Sequence, residues 1–316
     1  MDHIDYYFAP LEGITWYVYR NAHQRFFPGI TKYFAPFIVA NQQDKFSARE
    51  LNDLMPEHNQ GINLIPQVLS NKAEDFLFTL NKLKQLDYKE VNLNLGCPSG
   101  TVVAKGKGSG FLAKPEALDQ FLEEVFSKTT LDISIKTRIG KTGPDEFEHL
   151  LEIFNKYPLK ELIIHPRIQK DFYKNTPNMI IFEEATKATT NSICYNGDLL
   201  TPEDIDVFKT EFSQTSAIMI GRGLIRNPGL VNGYLLQQKI DYGKIKAFHD
   251  SIYEEYKTIL FGDRNLLFRM KEIWLYMIEL FEESEKKMKK IRKTTTCAEY
   301  EQVIDSIFFQ KILDKP

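Results

Sequence analysis

The chain has 316 residues, of which 43% are hydrophobic and 26% charged, a composition typical of a soluble globular enzyme. Its formal net charge of −3 does not by itself indicate a partner. No run of about 18 apolar residues is present, so we expect no membrane-spanning helix. The three cysteines, Cys97, Cys194 and Cys297, are far apart and odd in number, which argues against a disulfide framework and favours a reducing compartment.

The beginning of the chain and its metal-ligand spacings narrow the class of protein further. Residues 1–12 have neither the basic region nor the apolar core of a signal peptide. No CxxC or HxxxH spacing suggests a zinc site. We therefore expect a cytoplasmic monomer that binds neither a metal nor a membrane.

Eight short apolar or β-branched runs, each ending in a polar or glycine-rich turn, predict eight strands. In chain order they are residues 7–10, 33–39, 63–69, 90–95, 133–139, 161–165, 192–196 and 217–221. Helical periodicity lies between them, for example over 75–86 and 115–126, where apolar residues recur at spacings of three and four. Thr201 followed by Pro202 and two acidic residues is typical of a helix start.

Strands alternate with helical segments eight times, and this repetition predicts a (β/α)8 TIM barrel over residues 1–239. A doubly wound open sheet is the alternative, but no GxGxxG follows the first strand. From about residue 240 onward only helical stripes of apolar residues remain. We therefore predict a small all-helical, antiparallel domain over residues 240–316.

The carboxyl ends of parallel strands carry the chemistry of α/β proteins, and here they carry polar residues. From the third strand to the eighth these are Gln67; Asn94 and Cys97; Lys136 and Arg138; His165 and Arg167; Asn196, Gly197 and Asp198; and Gly221 and Arg222. Lys136 and Arg138 alternate with apolar residues, so both are expected to face the barrel interior, where buried cations need an anionic or electron-rich partner.

Two of these features indicate particular chemistry. Gly96 and Pro98 hold the Cys97 thiol in a tight non-helical turn, where it can act as a nucleophile, a metal ligand or a proton donor. The loops after the seventh and eighth strands are the usual phosphate site of such barrels. Asn196-Gly197 and Gly221-Arg222 are also common turn sequences, but their presence at both loops favours phosphate binding.

Taken in order, these residues resemble those of the flavin-dependent tRNA-dihydrouridine synthases over most of the chain. The most specific motif is Asn94-Leu95-Gly96-Cys97-Pro98. The turn over residues 9–15, the glycines at 106, 108 and 110, and the strand-end residues listed above complete the resemblance. Pro166 departs from it, because the family more often has glycine after the histidine.

The resemblance implies FMN at the barrel mouth, NADPH as reductant, and tRNA as the substrate, with a flipped-out uridine reduced at its C5=C6 bond. It implies that Cys97 is the catalytic proton donor, acting as a thiol. The implied substrate contacts are Asn94, Lys136, Arg138 and Arg167. The implied cofactor contacts are Pro10, Leu11, Glu12, Gln67, Lys136, His165, Asn196, Gly197, Asp198, Gly221 and Arg222.

A basic run in the helical tail bears on the tRNA. It consists of Lys286, Lys287, Lys289, Lys290, Arg292 and Lys293. A solvated helix face is the simpler interpretation. However, six cations in eight positions are too many for one face, and Met288 and Ile291 provide an apolar seam to anchor the helix. We therefore predict that the run binds RNA.

Three other functions remain open at this point. The first is another FMN barrel such as a dihydroorotate dehydrogenase, which would need no basic helical appendage. The second is a catalytically silent RNA-binding module, against which Cys97, Lys136 and His165 argue. The third is a phosphate-binding lyase or isomerase, which would need a base that the sequence does not reveal. No motif indicates which tRNA uridine would be modified.

Overall fold

The computed structural model describes residues 4–43 and 45–313, and its strands form one parallel sheet. In chain order the strand segments are β1 (Asp5–Phe8), β2 (Lys32–Phe34), β3 (Ile38–Val39), β4 (Leu64–Ile65), β5 (Gln67–Leu69), β6 (Glu90–Leu95), β7 (Asp132–Arg138), β8 (Glu161–His165), β9 (Ile193–Asn196) and β10 (Ala217–Ile220).

The ten segments are eight strands of a closed barrel, because the second and third strands are each interrupted once. β4 and β5 are separated by Pro66 alone, and proline lacks the N–H that a continuous ladder requires. β2 pairs with β4 and β3 with β5, while the rest of the order runs from β5 through β10 and β1 back to β2. The sheet therefore closes on itself, and the predicted TIM barrel is confirmed.

The helices of the described residues fill the predicted helical segments. They are α1 (Tyr17–Phe26), α2 (Ala48–Leu54), α3 (Ala73–Gln85), α4 (Gly100–Val103), α5 (Pro115–Lys128), α6 (Glu146–Phe154), α7 (Met179–Ala188), α8 (Pro202–Glu211), α9 (Arg222–Arg226), α10 (Leu230–Leu236), α11 (Tyr242–Ile259), α12 (Asp263–Met277), α13 (Ser284–Lys293) and α14 (Cys297–Leu313). The predicted start of α8 is confirmed, because Thr201 Oγ1 accepts a hydrogen bond from Asp204 N at 3.2 Å.

The chain divides into two compact units. The first contains the described residues up to Pro10, Thr31–Asp198 and Val207–Ile220, and therefore every strand. The second contains Leu11–Ile30, Leu199–Asp206 and the described residues from Gly221 onward. The C-terminal helices α11 to α14 all belong to the second unit, which also includes earlier segments. The domain boundary at residues 239 and 240 stays a prediction.

The interior of the barrel is packed rather than open. Its central cluster consists of Tyr7, Ala9, Phe34, Ile65, Ile163, Cys194, Ala217 and Met219, all almost completely buried. These residues alternate along their strands with residues that face outward, as the two-residue period of a strand requires. Cys194 is therefore a small core residue, and burial raises the pKa of its thiol well above the usual value.

The core of the second unit contains a buried polar chain among its aromatic residues. The Trp274 indole N–H donates to the Tyr300 hydroxyl at 2.7 Å, and His249 Nε2 lies 2.8 Å from the same oxygen. Because tryptophan can only donate, Tyr300 accepts from it. His249 Nδ1 lies 2.9 Å from the Asp250 carboxylate, so the neutral ring carries its proton there and Nε2 accepts from the Tyr300 hydroxyl. No helix in the described residues is long and apolar enough to cross a membrane.

Candidate active site

The register of the barrel brings the predicted polar residues to one face of the sheet. Asn94 pairs with Lys136, Lys136 with Ile163, and Ile163 with Cys194. Ile163 and Cys194 belong to the interior cluster, and residues in register on parallel strands point to the same face. Asn94 and Lys136 therefore face the barrel interior near the carboxyl ends of their strands, as the alternation predicts.

A chain of three side-chain amides and one hydroxyl crosses three strands at these ends. Asn92 Nδ2 donates to Ser134 Oγ at 3.0 Å, and Gln67 Nε2 donates to Asn92 Oδ1 at 2.8 Å. Asn94 Nδ2 then donates to Gln67 Oε1 at 2.7 Å. All four residues are buried, so each bond orients its neighbour in a medium that strengthens it.

The last member of this amide chain holds the turn that carries the thiol. Asn94 Oδ1 accepts from the backbone N–H groups of Gly96 at 3.0 Å and Cys97 at 2.9 Å. The Arg138 guanidinium holds the same turn from its other side, since Nε donates to the Gly96 carbonyl at 3.0 Å. The backbone of the Cys97 turn is therefore held by hydrogen bonds from both sides.

The glycine-rich loop packs directly against the Cys97 backbone. Ser109 donates to the Cys97 carbonyl both from its N–H, at 3.1 Å, and from its hydroxyl, at 2.8 Å. A Cβ added to Gly108 would lie 2.8 Å from that carbonyl oxygen, and Gly108 has a φ of +55°. Only glycine fits this backbone conformation and this close approach. The loop thus serves as a rigid support for the thiol.

Lys136 is the cation nearest in register to the Asn94 side chain. It is half-buried, and burial lowers its pKa to about 8, with the positive charge of Arg138 as the next cause. The nearby Cys194 and Cys97 thiols partly raise the Lys136 pKa again. No carboxylate of the described residues lies within ion-pair distance of Lys136 Nζ.

Arg138 is buried and engaged by three backbone carbonyls. Besides Gly96, its guanidinium donates to Ile168 O at 2.9 Å and to Phe172 O at 2.8 Å. It also lies 5.5 Å from the centre of the Tyr173 ring. These contacts tie the Cys97 turn to the loop that follows β8.

The predicted residues after β8 and β9 form one buried assembly. Arg167 NH1 donates to His165 Nε2 at 3.1 Å and to Asp198 Oδ1 at 3.1 Å, and its NH2 pairs with Asp198 Oδ2. Because arginine cannot accept, His165 Nε2 is the acceptor and the ring carries its proton on Nδ1. The ring of Tyr173 stacks on His165 with centroids 6.1 Å apart.

Two more predicted residues lie at the end of β9. Asn196 Nδ2 donates to Met219 O at 2.8 Å, which leaves its side chain bound to the next strand. A Cβ added to Gly197 would collide with the Tyr195 hydroxyl, so glycine is required there. Pro10 is the last residue of the N-terminal segment of the first unit, which contains the barrel strands.

The other predicted cofactor residues belong to the second unit. Leu11 N donates to Thr15 Oγ1 at 2.8 Å, and Glu12 is exposed. Gly221 precedes α9, and the half-buried Arg222 begins it. The predicted RNA-binding run forms α13, with Met288 and Ile291 buried as the spacing predicted. Five of its six cations are exposed, and Lys287 is half-buried.

Four residues of the site were missed in the sequence, and one of them is Ser109, which donates to the Cys97 carbonyl from between two predicted glycines. Asn92 and Ser134 were not singled out, although their two-residue spacing from Asn94 and Lys136 places them on the same strand face. Tyr173 lies in the loop after β8, and no local pattern distinguishes it from other loop aromatics.

The fold and this site define a TIM-barrel protein with a supported thiol and a half-buried lysine at the carboxyl ends of its strands, where barrel enzymes have their active sites. The family model described as dihydrouridine synthase (Dus) matches residues 7–310. The chain belongs to the dihydrouridine synthase family, which confirms the resemblance found in its motifs.

Individual relatives agree with the family match over part of their length. A probable tRNA-dihydrouridine synthase of Staphylococcus aureus (strain Mu50 / ATCC 700699) is 31% identical over 170 residues, covering 52% of this chain and 51% of that protein. Probable tRNA-dihydrouridine synthase 2 of Bacillus subtilis (strain 168) is 29% identical over 171 residues, covering 52% of each. The match thus spans about half the length of these curated relatives.

A solved structure supports the fold alone. A variant of NCR from Zymomonas mobilis has a TM-score of 0.53 with 12% sequence identity, and the match covers 77% of this chain and 89% of that one.

Proposed function

We propose that this protein is a flavin-dependent tRNA-dihydrouridine synthase that reduces the C5=C6 bond of a uridine in tRNA. FMN is the proposed cofactor, NADPH the reductant and Cys97 the proton donor, in a monomer that acts in the cytoplasm. The observation that carries the proposal is the Cys97 turn in a chain of this family. Asn94 accepts a hydrogen bond from the Cys97 N–H, and Asn94 pairs with Lys136 in the register of the neighbouring strand.

The residues of the barrel unit fit FMN. Lys136 is a half-buried cation for which the described residues supply no carboxylate, and an electron-rich flavin ring would be a suitable partner. Gln67 keeps one amide hydrogen beyond the bond it gives to Asn92, and this hydrogen can be offered to a flavin. Gln67, Lys136, His165, Asn196 and Gly197 would hold the cofactor, which supplies hydride chemistry when bound. The roles of Pro10, Leu11, Glu12, Gly221 and Arg222 stay predictions.

Cys97 would supply the proton that the uracil C5 requires. The S–H bond breaks, a C5–H bond forms, and the sulfur is left as a thiolate. Burial lowers the pKa of Lys136 to about 8, which still favours the ammonium form at pH 7, and that charge would stabilise the thiolate and the anionic uracil before protonation.

The remaining polar residues would position rather than react. Asn94 Oδ1 already accepts two backbone hydrogens, so only its second amide hydrogen can be offered to uracil. Arg138 is engaged by three carbonyls, and Arg167 by Asp198 and His165. We therefore assign Arg138, Arg167 and Asp198 to holding the loops around Cys97, in place of the direct contacts that the resemblance implied for them.

The basic helix α13 would supply sequence-independent affinity for tRNA through its lysines and arginine. Changing Lys286, Lys287, Lys289 and Lys290 to Glu should raise the Kd for tRNA. It should flatten the log–log salt slope by up to about 3, at roughly 0.7–0.9 per lost phosphate contact. Flavin content and NADPH oxidation should not change. An unaltered slope would leave α13 as a solvated helix.

Separate measurement of the two half-reactions tests the central proposal. Purified protein should be yellow and release FMN on heating. Cys97→Ala should leave flavin reduction by NADPH nearly intact and slow uridine reduction by about 10²–10⁴-fold, the usual effect of losing a general acid. Cys297→Ala is the matched control, because this second partly buried thiol lies at the start of α14. Equal loss in both half-reactions would show that Cys97 is structural, and a protein that cannot be loaded with FMN would refute the proposed function.

A further inference from the structure

The second unit contains a groove that none of the roles above uses. It has a volume of about 850 Å³ and is lined by Arg264, Phe268 and Lys271 of α12 and by Thr294 and Thr295, which connect α13 to α14. We call it the α12 groove. Its lining combines cations, hydroxyls and an aromatic ring, all from residues of one compact unit.

One wall of the α12 groove is held by hydrogen bonds. Lys271 Nζ donates to Thr294 O at 2.6 Å and to Arg292 O at 3.2 Å, and Thr294 Oγ1 donates to Ile291 O at 2.8 Å. These bonds fasten the end of the basic helix α13 to α12. The exposed cations Arg292 and Lys293 therefore lie beside the groove and extend its positive charge.

Phe268 is an exposed aromatic ring in this cationic setting. Its side chain is 59% exposed, and Phe261, just before α12, is 95% exposed. Leaving such rings in water forgoes roughly 25 cal/mol for each Å² of apolar surface that burial would remove. The Arg269 guanidinium lies 5.9 Å from the centre of the Phe268 ring. An exposed ring in a basic groove is the arrangement on which nucleic-acid bases stack.

Arg264 provides a cation on the same face. It precedes Phe268 by four residues on α12, so the two side chains are neighbours on the helix surface. Arg264 is exposed, and the described residues offer it no ion-pair partner. The nearby acids are Asp263, which accepts from Cys297 N at 2.8 Å, and Glu299, which accepts from Thr295 N at 2.7 Å. Both acids thus cap the start of α14.

We propose that the α12 groove binds an unpaired segment of RNA, with a base stacked on Phe268 and the adjacent phosphate on Arg264. Unpaired nucleotides present both a π face and a backbone charge, and a ring next to a cation matches this pair. The inference rests on the proposed function only in naming tRNA as the source of the segment. A protein or lipid partner would use the apolar ring but would not require Arg264.

The test uses the full chain, a single-stranded RNA oligonucleotide and a tRNA transcript, with Kd measured at several salt concentrations. Phe268→Ala should weaken oligonucleotide binding by about 5- to 150-fold without changing the salt slope, because stacking releases no counterions. Phe268→Tyr should keep the affinity. Arg264→Ala should flatten the slope by about 0.7, the value for one phosphate of a single strand. Phe309→Ala is the control, since this ring is 65% exposed on α14 and does not line the groove.

Dihydrouridine formation and flavin content, measured on the same variants, separate the two proposals. Phe268-dependent RNA binding by a protein that forms no dihydrouridine would support the groove and refute the proposed function. If the protein forms dihydrouridine but the Phe268→Ala variant binds RNA as tightly as the unaltered protein, only the groove proposal is refuted. Equal loss of affinity in Phe268→Ala and Phe309→Ala would also refute it, because the effect would then follow exposed apolar surface in general.

Discussion

Replacing Asn94 with Ala should both destabilise the barrel unit and displace the thiol. The change removes the acceptor of the Gly96 and Cys97 N–H groups, at 3.0 and 2.9 Å. It also leaves Gln67 Oε1 without its donor at 2.7 Å. At about 1 kcal/mol for each bond, with more for the buried Gln67 oxygen, the loss is about 3–4 kcal/mol of unfolding free energy.

The same change should reduce activity more than it reduces the amount of folded protein. A displacement of a reacting group by about 1 Å can cost roughly 10²-fold in rate. We therefore expect uridine reduction per folded molecule to fall by about 10- to 100-fold. Flavin reduction by NADPH should fall much less, because Gln67, a proposed cofactor contact, keeps its hydrogen bond to Asn92 after the change. Thermal unfolding and the two half-reactions measure these effects separately.

Asn59→Ala is the matched control for this prediction. Asn59 is also buried, and its Nδ2 donates to Asp53 O and Met55 O, both at 3.0 Å, outside the strand ends. Its replacement should lower stability by about 2 kcal/mol from two lost bonds while leaving uridine reduction unchanged. If Asn94→Ala kept full activity with lowered stability, as expected for Asn59→Ala, the positioning argument would be refuted.

Three further predictions concern the glycine loop and pH. Gly108→Ala should slow uridine reduction, because the new Cβ would lie 2.8 Å from the Cys97 carbonyl oxygen, whereas Gly100→Ala meets nothing within 4 Å and should be neutral. Burial raises the pKa of Glu161 from 4.5 to about 7. The folded protein therefore holds this proton more tightly, and the free energy of unfolding should fall by about 3 kcal/mol as the pH rises from 4.5 to about 7. Denaturation measured across this pH range should show the fall in the unaltered protein and not in Glu161→Gln. Burial lowers the pKa of His23 from 6.5 to about 3, so stability should be lost as pH falls through that range, and less so in His23→Gln; equal pH profiles would contradict the assignment.

Much of the barrel was predictable because strand alternation and strand-end turns are local properties of the chain. Each predicted strand corresponds to an observed strand, and Pro66 explains why the third is interrupted. The motif around Cys97 also indicates its support, since Gly108 has a positive φ and lies so close to the Cys97 carbonyl that few other residues would be tolerated there.

The partners within the site were decided by tertiary structure alone. Gln67 meets Asn92 across 25 residues of chain, and Arg167 meets Asp198 across 31, because barrel register sets these distances. The resemblance implied that Arg138 contacts the substrate, and only the folded loop shows that three carbonyls accept its hydrogens.

The sequence by itself determined the order of strands and helices, the face on which Lys136 lies, and the family. These follow from periodicities of two and 3.6 residues and from short motifs, which need no knowledge of distant contacts. Only the tertiary structure decided which polar residues are already engaged by one another and which remain available to a ligand. Hydrogen bonding between buried groups depends on register and closure of the whole sheet, which no local segment encodes.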